Sequence, residues 1–86
     1  MTAASWEDLK ATARTAEALG YSTIMMPDHL RNQLPPLVAL SAVTSRITLG
    51  TMTLATAIRD PVMTAREAAM MQFVSQGHFE LGLGAG

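Results

Sequence analysis

The sequence has no cysteine among its 86 residues, which excludes disulfides, thiolate zinc sites and thiol nucleophiles. It also has no basic run, and its 6 Lys and Arg residues nearly balance its 7 Asp and Glu residues, so it lacks the charge distribution of a nucleic-acid-binding protein. No apolar run approaches the ~18 residues that a membrane span needs, and charged residues close to Met1 interrupt any signal-peptide core. We therefore expect a cytoplasmic, soluble protein without nucleic-acid or membrane partners.

The sequence does contain helical patterns, within a length that allows a single small domain over residues 1–86. Apolar residues recur at spacings of three and four over residues 5–19, where Ser5 is a suitable N-cap. A second helix is predicted to begin at the proline pair at 35–36, and a third at the Asp-Pro pair at 60–61.

Strand patterns alternate with these helices. Apolar and β-branched segments predict strands at 21–26, 46–54 and 78–86, and Gly50 within the second indicates a bulge or a close approach of another backbone. The order α-β-α-β-α-β predicts an α/β fold with three parallel strands. Three such strands leave two open edges, which indicates either part of a larger fold or self-association. The pattern alone does not choose between a Rossmann-like fold and a (β/α)8 barrel.

The predicted strand ends bring candidate site residues to one rim, where both folds bind ligands. Asp28 and His29 follow the first strand, residues 51–56 and Arg59 follow the second, and a glycine-rich end follows the third. Asp28 and His29 are either site residues or a solvated loop pair. Arg59 is either an anion ligand or an ordinary solvated arginine.

Other features are better explained by structure than by chemistry. The sequence GLGAG lacks the spacing and the following helix of a dinucleotide-binding loop, which argues against a Rossmann-type nucleotide binder. The methionines are typical of core filling. His78 has no acidic or cysteine neighbour at ligand spacing, so we predict no metal site.

Three segments, taken in order, resemble the luciferase-like monooxygenase family. They are AEALGYSTIMMPDHL, PLVALSAVTSRITLGTMTLAT and RDPVMTAREAAMMQFVSQGHFELGLGAG. The family comprises FMN- and deazaflavin-dependent oxidoreductases, and the likeness is closest to the deazaflavin-using actinobacterial members. The resemblance implies a partial (β/α)8 TIM barrel in which this chain supplies strands 2 to 4. A complete barrel has ~250 residues, so we expect a fragment.

The resemblance also implies roles for individual residues. His29 would give or take a proton near the flavin-type ring, and Asp28 would orient it or raise its pKa. The family often has a non-proline cis peptide in strand 3, which would fall at Met52-Thr53 here. The cofactor would be a deazaflavin coenzyme (F-420 type) or FMN, and the substrate a small molecule. The residues expected to bind the cofactor are Thr51, Met52, Thr53, Gly84 and Ala85.

Two functions are compatible with these observations. The chain is either a fragment of a flavin- or deazaflavin-dependent oxidoreductase, catalysing hydride transfer or oxygen activation, or a non-catalytic remnant that folds only by self-association. Because the cofactor's anionic tail has no visible partner in the sequence, we expect the isolated chain to have little or no turnover.

Overall fold

The computed structural model describes residues 5–27 and 32–85. Three helices alternate with short strands along the chain. The helices are α1 (Trp6–Ala18), α2 (Leu34–Ser41) and α3 (Pro61–Val74), and a 3-10 helix covers Thr56–Ile58. The strands are β1 (Thr23–Met26), β2 (Thr48–Thr51), β3 (Leu54–Ala55), β4 (Phe79–Glu80) and β5 (Leu83–Gly84).

The strands form two small parallel sheets. One sheet has the order β1-β2-β4, and β3 pairs with β5 in the other. The predicted alternation of helices and parallel strands is therefore confirmed. The predicted strands 46–54 and 78–86 are each interrupted once, however, so that β3 continues from β2 and β5 continues from β4. The interruption coincides with a threonine side chain that replaces backbone pairing, described below.

Helix α1 begins and ends close to the predicted residues. The Ser5 hydroxyl accepts a hydrogen bond of 3.1 Å from the Asp8 amide, and Gly20 follows the helix with a φ of 91°, a conformation that costs glycine little. Ala13 is buried in the core, whereas Trp6 and Leu19, which lie on the predicted inward face, are exposed. The middle of the helix therefore makes the core contact.

The carboxylate of Glu17 joins α1 to the loop before β2. Its Oε2 atom accepts hydrogen bonds from the amides of Ser45, Arg46 and Ile47, at 2.9, 2.7 and 2.9 Å. The Arg46 guanidinium in turn donates to the Glu17 carbonyl oxygen at 2.8 Å. These backbone hydrogen bonds, led by that of Arg46, lower the pKa of Glu17 from 4.5 to about 2.

The other two helices complete the core. Helix α2 begins at Leu34, one residue before the proline pair, and α3 begins at the predicted Asp-Pro pair, where Asp60 Oδ2 accepts a hydrogen bond of 2.8 Å from the Met63 amide. The buried apolar residues are Ala13, Leu34, Leu37, Leu40, Ile47, Leu49, Leu54 and Met71. None of the helices in the described part of the chain has the length and hydropathy of a membrane span.

Gly50 lies in the middle strand of the larger sheet. It is paired in register with Met25 on one side and Glu80 on the other, so it forms no bulge. A Cβ atom at this position would lie 2.6 Å from Met25 Sδ and 2.7 Å from the Glu80 carbonyl oxygen. The predicted close approach of a neighbouring backbone is therefore confirmed.

Candidate functional site

The carboxyl ends of the strands converge at one edge of the structure. Met26, the last residue of β1, is paired with Thr51, the last residue of β2, and the Met52 amide donates a hydrogen bond of 3.0 Å to the Met26 carbonyl. Further along, Ala55 is paired with Gly84. Of the segments that sequence reasoning placed at a common rim, the one after β2 and the glycine-rich one are thus neighbours in space.

Thr51 replaces backbone pairing where β4 gives way to β5. Its hydroxyl donates to the Gly82 carbonyl oxygen at 2.8 Å and accepts from the Gly82 amide at 2.9 Å. A Cβ atom at Gly82 would collide with the Thr51 carbonyl oxygen, so only glycine fits there. Thr51 is 1% exposed and its hydroxyl is occupied, so it supports this edge from beneath and does not itself present a surface to a cofactor.

The junction between β2 and β3 consists of Met52 and Thr53. The peptide bond between them is cis, as the family resemblance implied. Both residues are exposed, and 61% of the Met52 surface is accessible. The junction therefore presents an apolar side chain and a hydroxyl-bearing side chain at the edge where the strands end.

Gly84 packs directly against this junction. A Cβ atom at Gly84 would collide with the Thr53 hydroxyl, and the Thr56 hydroxyl donates a hydrogen bond of 3.0 Å to the Gly84 carbonyl. Ala85, the next residue, is exposed. Four of the five predicted cofactor-binding residues therefore lie in one small region, and Thr51 lies beneath it.

Arg59 links the loop after β3 to two other elements. Its Nη2 atom donates to Asn32 Oδ1 at 2.7 Å, and its Nη1 atom forms an ion pair of 3.2 Å with Glu67 Oε1 on α3. The guanidinium is already engaged by these partners. A role as an anion ligand is therefore not favoured by the geometry.

The two predicted catalytic residues, Asp28 and His29, lie outside the described residues. The flanking residues Pro27 and Asn32 are described. The catalytic role of Asp28 and His29 therefore stays a prediction from the sequence. Among residues 5–27 and 32–85, His, Cys, Asp and Glu side chains form no group of three or more that could hold a metal ion.

The strand ends present accessible side chains, but the described part of this edge offers no free positive charge. Met52, Thr53 and Ala85 are accessible at the strand ends, and the glycine positions let backbone segments approach one another closely. Such a surface offers van der Waals contacts to a molecule that lies against it. Arg59, the cation of the adjoining loop, is committed to Asn32 and Glu67.

The family of the chain follows from its sequence as a whole. The family model described as luciferase-like monooxygenase matches residues 1–86. The chain belongs to this family. Its family was therefore predicted correctly from the three segments quoted above. No curated protein sequence matches the chain.

Solved structures of luciferase-like enzymes have the same fold. The oxygenating constituent of 3,6-diketocamphane monooxygenase from Pseudomonas putida, solved in complex with FMN, matches 100% of this chain with a TM-score of 0.89 and 19% identity. Monooxygenase RslO1 from Streptomyces bottropensis matches 91% with a TM-score of 0.86 and 24% identity. The coenzyme F420-dependent tetrahydromethanopterin reductase from Methanopyrus kandleri matches 98% with a TM-score of 0.90 and 24% identity.

The chain spans about a quarter of each of these structures, between 25% and 27% of their lengths. At such low identity the likeness establishes the fold, which is that of part of a (β/α)8 barrel. The predicted fold class is therefore confirmed, and the barrel is chosen over the Rossmann-like alternative.

Sequence reasoning missed two polar residues beside the site, Asn32 and Gln33. Asn32 Oδ1 accepts hydrogen bonds from Arg59 and, at 3.1 Å, from the Leu34 amide. Gln33 is buried and its Nε2 atom donates a hydrogen bond of 3.3 Å to the Thr53 carbonyl. The sequence carried a weak signal for this pair, because polar residues directly before an apolar helix start often bond to backbone groups.

Proposed function

We propose that this chain forms part of a flavin- or deazaflavin-dependent oxidoreductase. The observation that carries the proposal is the convergence of Met52, Thr53, Gly84 and Ala85 at the strand ends of a chain that belongs to the luciferase-like family. The ring of FMN or of a deazaflavin coenzyme would lie against these residues, and a small-molecule substrate would approach the ring. The cysteine-free sequence is consistent with a cytoplasmic location.

The ring and the negatively charged tail of the cofactor would need different kinds of contact. Met52 and Ala85 would provide apolar contacts to the ring, while Gly84 would approach it through backbone atoms and the buried Thr51 would support these residues from beneath. When bound, such a ring supplies hydride transfer or oxygen activation. The negatively charged tail of the cofactor needs cationic or backbone N–H partners. Arg59 already bonds to Asn32 and Glu67 and would have only its remaining N–H groups for such a tail.

Proton transfer would fall to His29, assisted by Asp28. A histidine side chain switches between imidazole and imidazolium near neutral pH, which suits a proton donor or acceptor close to a redox ring. A neighbouring carboxylate stabilises the protonated imidazole and raises its pKa. Both residues follow β1 within three positions of Met26 in the sequence. These roles come from the family resemblance.

A substitution at the exposed junction tests the ring site. We expect Met52→Glu to weaken binding of FMN and of the deazaflavin coenzyme about tenfold, because a carboxylate would lose hydration against an apolar ring. Quenching of the cofactor's fluorescence measures the affinity. Ile58→Glu is a matched control, because Ile58 is also an exposed apolar residue and lies outside the proposed ring site.

Two results would contradict the ring site. One is equal affinity of Met52→Glu and the unsubstituted chain for both cofactors. The other is an equal loss in Met52→Glu and Ile58→Glu, which would indicate a general effect of added negative charge.

A second candidate is a non-catalytic chain that folds by self-association. It is favoured by the position of β1 at the edge of its sheet and by the exposed apolar residues Val62, Met63, Met70 and Phe73 on α3. Unpaired strand edges and apolar surfaces both promote association between copies. Light scattering distinguishes the candidates: a folded oligomer indifferent to both cofactors would favour this one, and a species stabilised by one cofactor would favour the oxidoreductase.

A further inference from the structure

Gln33 crosses from the start of α2 to the junction between β2 and β3. It is 2% exposed, and its Nε2 atom donates a hydrogen bond of 3.3 Å to the carbonyl oxygen of Thr53, twenty residues further along the chain. A buried amide side chain is uncommon, since burial costs free energy unless its polar atoms are paired. The hydrogen bond from Gln33 therefore restrains the Thr53 carbonyl group.

The peptide group that joins Thr53 to Leu54 is held from two sides. Its carbonyl oxygen accepts the hydrogen bond from Gln33, and its N–H group, that of Leu54, donates to the Gly82 carbonyl at 2.7 Å. The Leu54 side chain is fully buried in the core. These contacts fix the orientation of the peptide group. Because Met52 and Thr53 directly precede it, their backbone positions are restricted as well.

The backbone that carries Gln33 is itself anchored. The preceding residue, Asn32, accepts hydrogen bonds from Arg59 at 2.7 Å and from the Leu34 amide at 3.1 Å. The amide orientation of Gln33 is also determined, because the reversed amide would place its oxygen against the Thr53 carbonyl oxygen. Gln33 Oε1 is buried and has no hydrogen-bond partner among the described residues. Within the described chain, the side-chain amide of Gln33 is therefore paired through Nε2 with the Thr53 carbonyl oxygen.

We propose that Gln33 is a positioning residue for the ring site, which it serves by holding the Thr53 carbonyl and so fixing the surface formed by Met52 and Thr53. The inference rests on the proposed function, because it assigns a support to the same site. Gln33 does not itself touch the ring in this account. It acts through the peptide group that follows Thr53.

The test compares Gln33→Leu with Gln72→Leu in the 86-residue chain. Both substitutions replace an amide by an apolar side chain, but Gln72 is exposed on α3. The carbonyl carbon shift of Thr53, measured by NMR without cofactor, reports the hydrogen bond directly. Fluorescence titration with FMN and the deazaflavin coenzyme reports ring affinity. We expect Gln33→Leu to move the Thr53 shift and to weaken ring binding about tenfold, the effect of one lost buried hydrogen bond, and we expect Gln72→Leu to do neither.

Gln33→Glu provides a second readout, in which the folded fraction is followed by circular dichroism at each pH so that ring affinity is compared only where the variant is folded. An ionised carboxylate cannot donate to the Thr53 carbonyl, whereas the protonated acid can, and burial raises the pKa of such a carboxyl group. Ring affinity of Gln33→Glu should therefore recover as the pH falls, while that of the unsubstituted chain does not follow this profile. If Gln33→Leu does not fold, this variant decides the inference.

The possible failures are distinguishable. If the unsubstituted chain binds neither cofactor, the proposed function is contradicted, and positioning of Thr53 is then judged on its carbonyl shift alone. If the chain binds a cofactor and Gln33→Leu binds it equally well, the proposed function stands and the positioning role is refuted. An unchanged Thr53 shift in Gln33→Leu refutes the positioning role in either case.

Discussion

Single residues connect distant parts of this chain through hydrogen bonds to backbone groups. Glu17 shows this most clearly, since one carboxylate oxygen accepts three consecutive amides of the loop before β2. Hydrogen bonds to an ionised acceptor are stronger than those between neutral groups. The lowered pKa of Glu17, about 2, expresses the same preference for the charged form. Glu17 therefore ties α1 to the sheet in a charge-dependent way.

Glu17→Gln should lower the stability of the chain at neutral pH, because a neutral amide oxygen is a weaker acceptor for the three amides. The Glu17 pKa is lower in the folded chain than its ordinary value of 4.5, so its contribution is complete above pH 4.5 and is lost as the pH falls toward 2. Urea unfolding as a function of pH measures the difference between the two chains, which should disappear near pH 2.

Glu7→Gln is the control for this prediction. Glu7 is exposed and forms a surface ion pair of 2.9 Å with Lys10, an interaction of small energy. A stability difference for Glu17→Gln that matches that of Glu7→Gln, or that does not change with pH, would contradict the assigned role.

Glycine is required at position 50 because the neighbouring strands leave no room there for a side chain. We expect Gly50→Ala to destabilise the chain by about 1–3 kcal/mol, because the added methyl group meets Met25 Sδ and the Glu80 carbonyl. Chemical denaturation measures the change. Adding Met25→Ala should not restore stability, since the Glu80 carbonyl belongs to the backbone of β4. A full recovery in the double variant would show that the side chain alone was responsible.

At the scale of elements, threonine hydroxyls maintain contact where strand pairing is interrupted. Thr51 bonds to both backbone groups of Gly82, and Thr56 bonds to the Gly84 carbonyl. The rows β2–β3 and β4–β5 therefore stay together across the break. The break is what exposes Met52 and Thr53 at the strand ends, so the proposed ring site depends on it.

The start of α3 depends on its N-cap. Asp60→Ala should reduce the unfolding free energy by about 1 kcal/mol, because the Met63 amide loses its acceptor. Thermal or urea unfolding followed by circular dichroism measures the loss. Asp60→Asn keeps an acceptor oxygen and should retain most of the stability. An equal loss in both variants would mean that the charge of Asp60, rather than its cap hydrogen bond, stabilises the helix.

The elements themselves could largely be predicted from the sequence. The helix starts at Ser5 and at Asp60-Pro61 follow from local chemistry, which the neighbouring chain does not alter. The strand interruptions could not be predicted, because they depend on contacts between Thr51 and Gly82, thirty-one residues apart. The role of Gln33 could not be predicted either, because its partner Thr53 lies twenty residues away in the sequence. The exposure of Trp6 contradicts the periodic pattern, since periodicity indicates a face of a helix and not what covers it.

At the scale of the whole molecule, the chain has a core on one side and uncovered apolar surface on another. Leu37, Leu40 and Leu54 are fully buried, whereas α3 exposes Phe73 and four other large apolar side chains. A contiguous exposed apolar surface of this kind is normally covered by another part of a protein. The chain spans only about a quarter of each of the three larger enzymes whose structures it resembles.

The central claim is that the strand ends form a site for a flavin-type ring, and mapping the cofactor on the chain by NMR tests it most directly. Amide shifts of the isotope-labelled chain would be followed during titration with FMN and, separately, with the deazaflavin coenzyme. The account predicts that one of the two causes shift changes concentrated at Met52, Thr53, Gly84 and Ala85. Changes elsewhere only, or no changes with either cofactor, would contradict it.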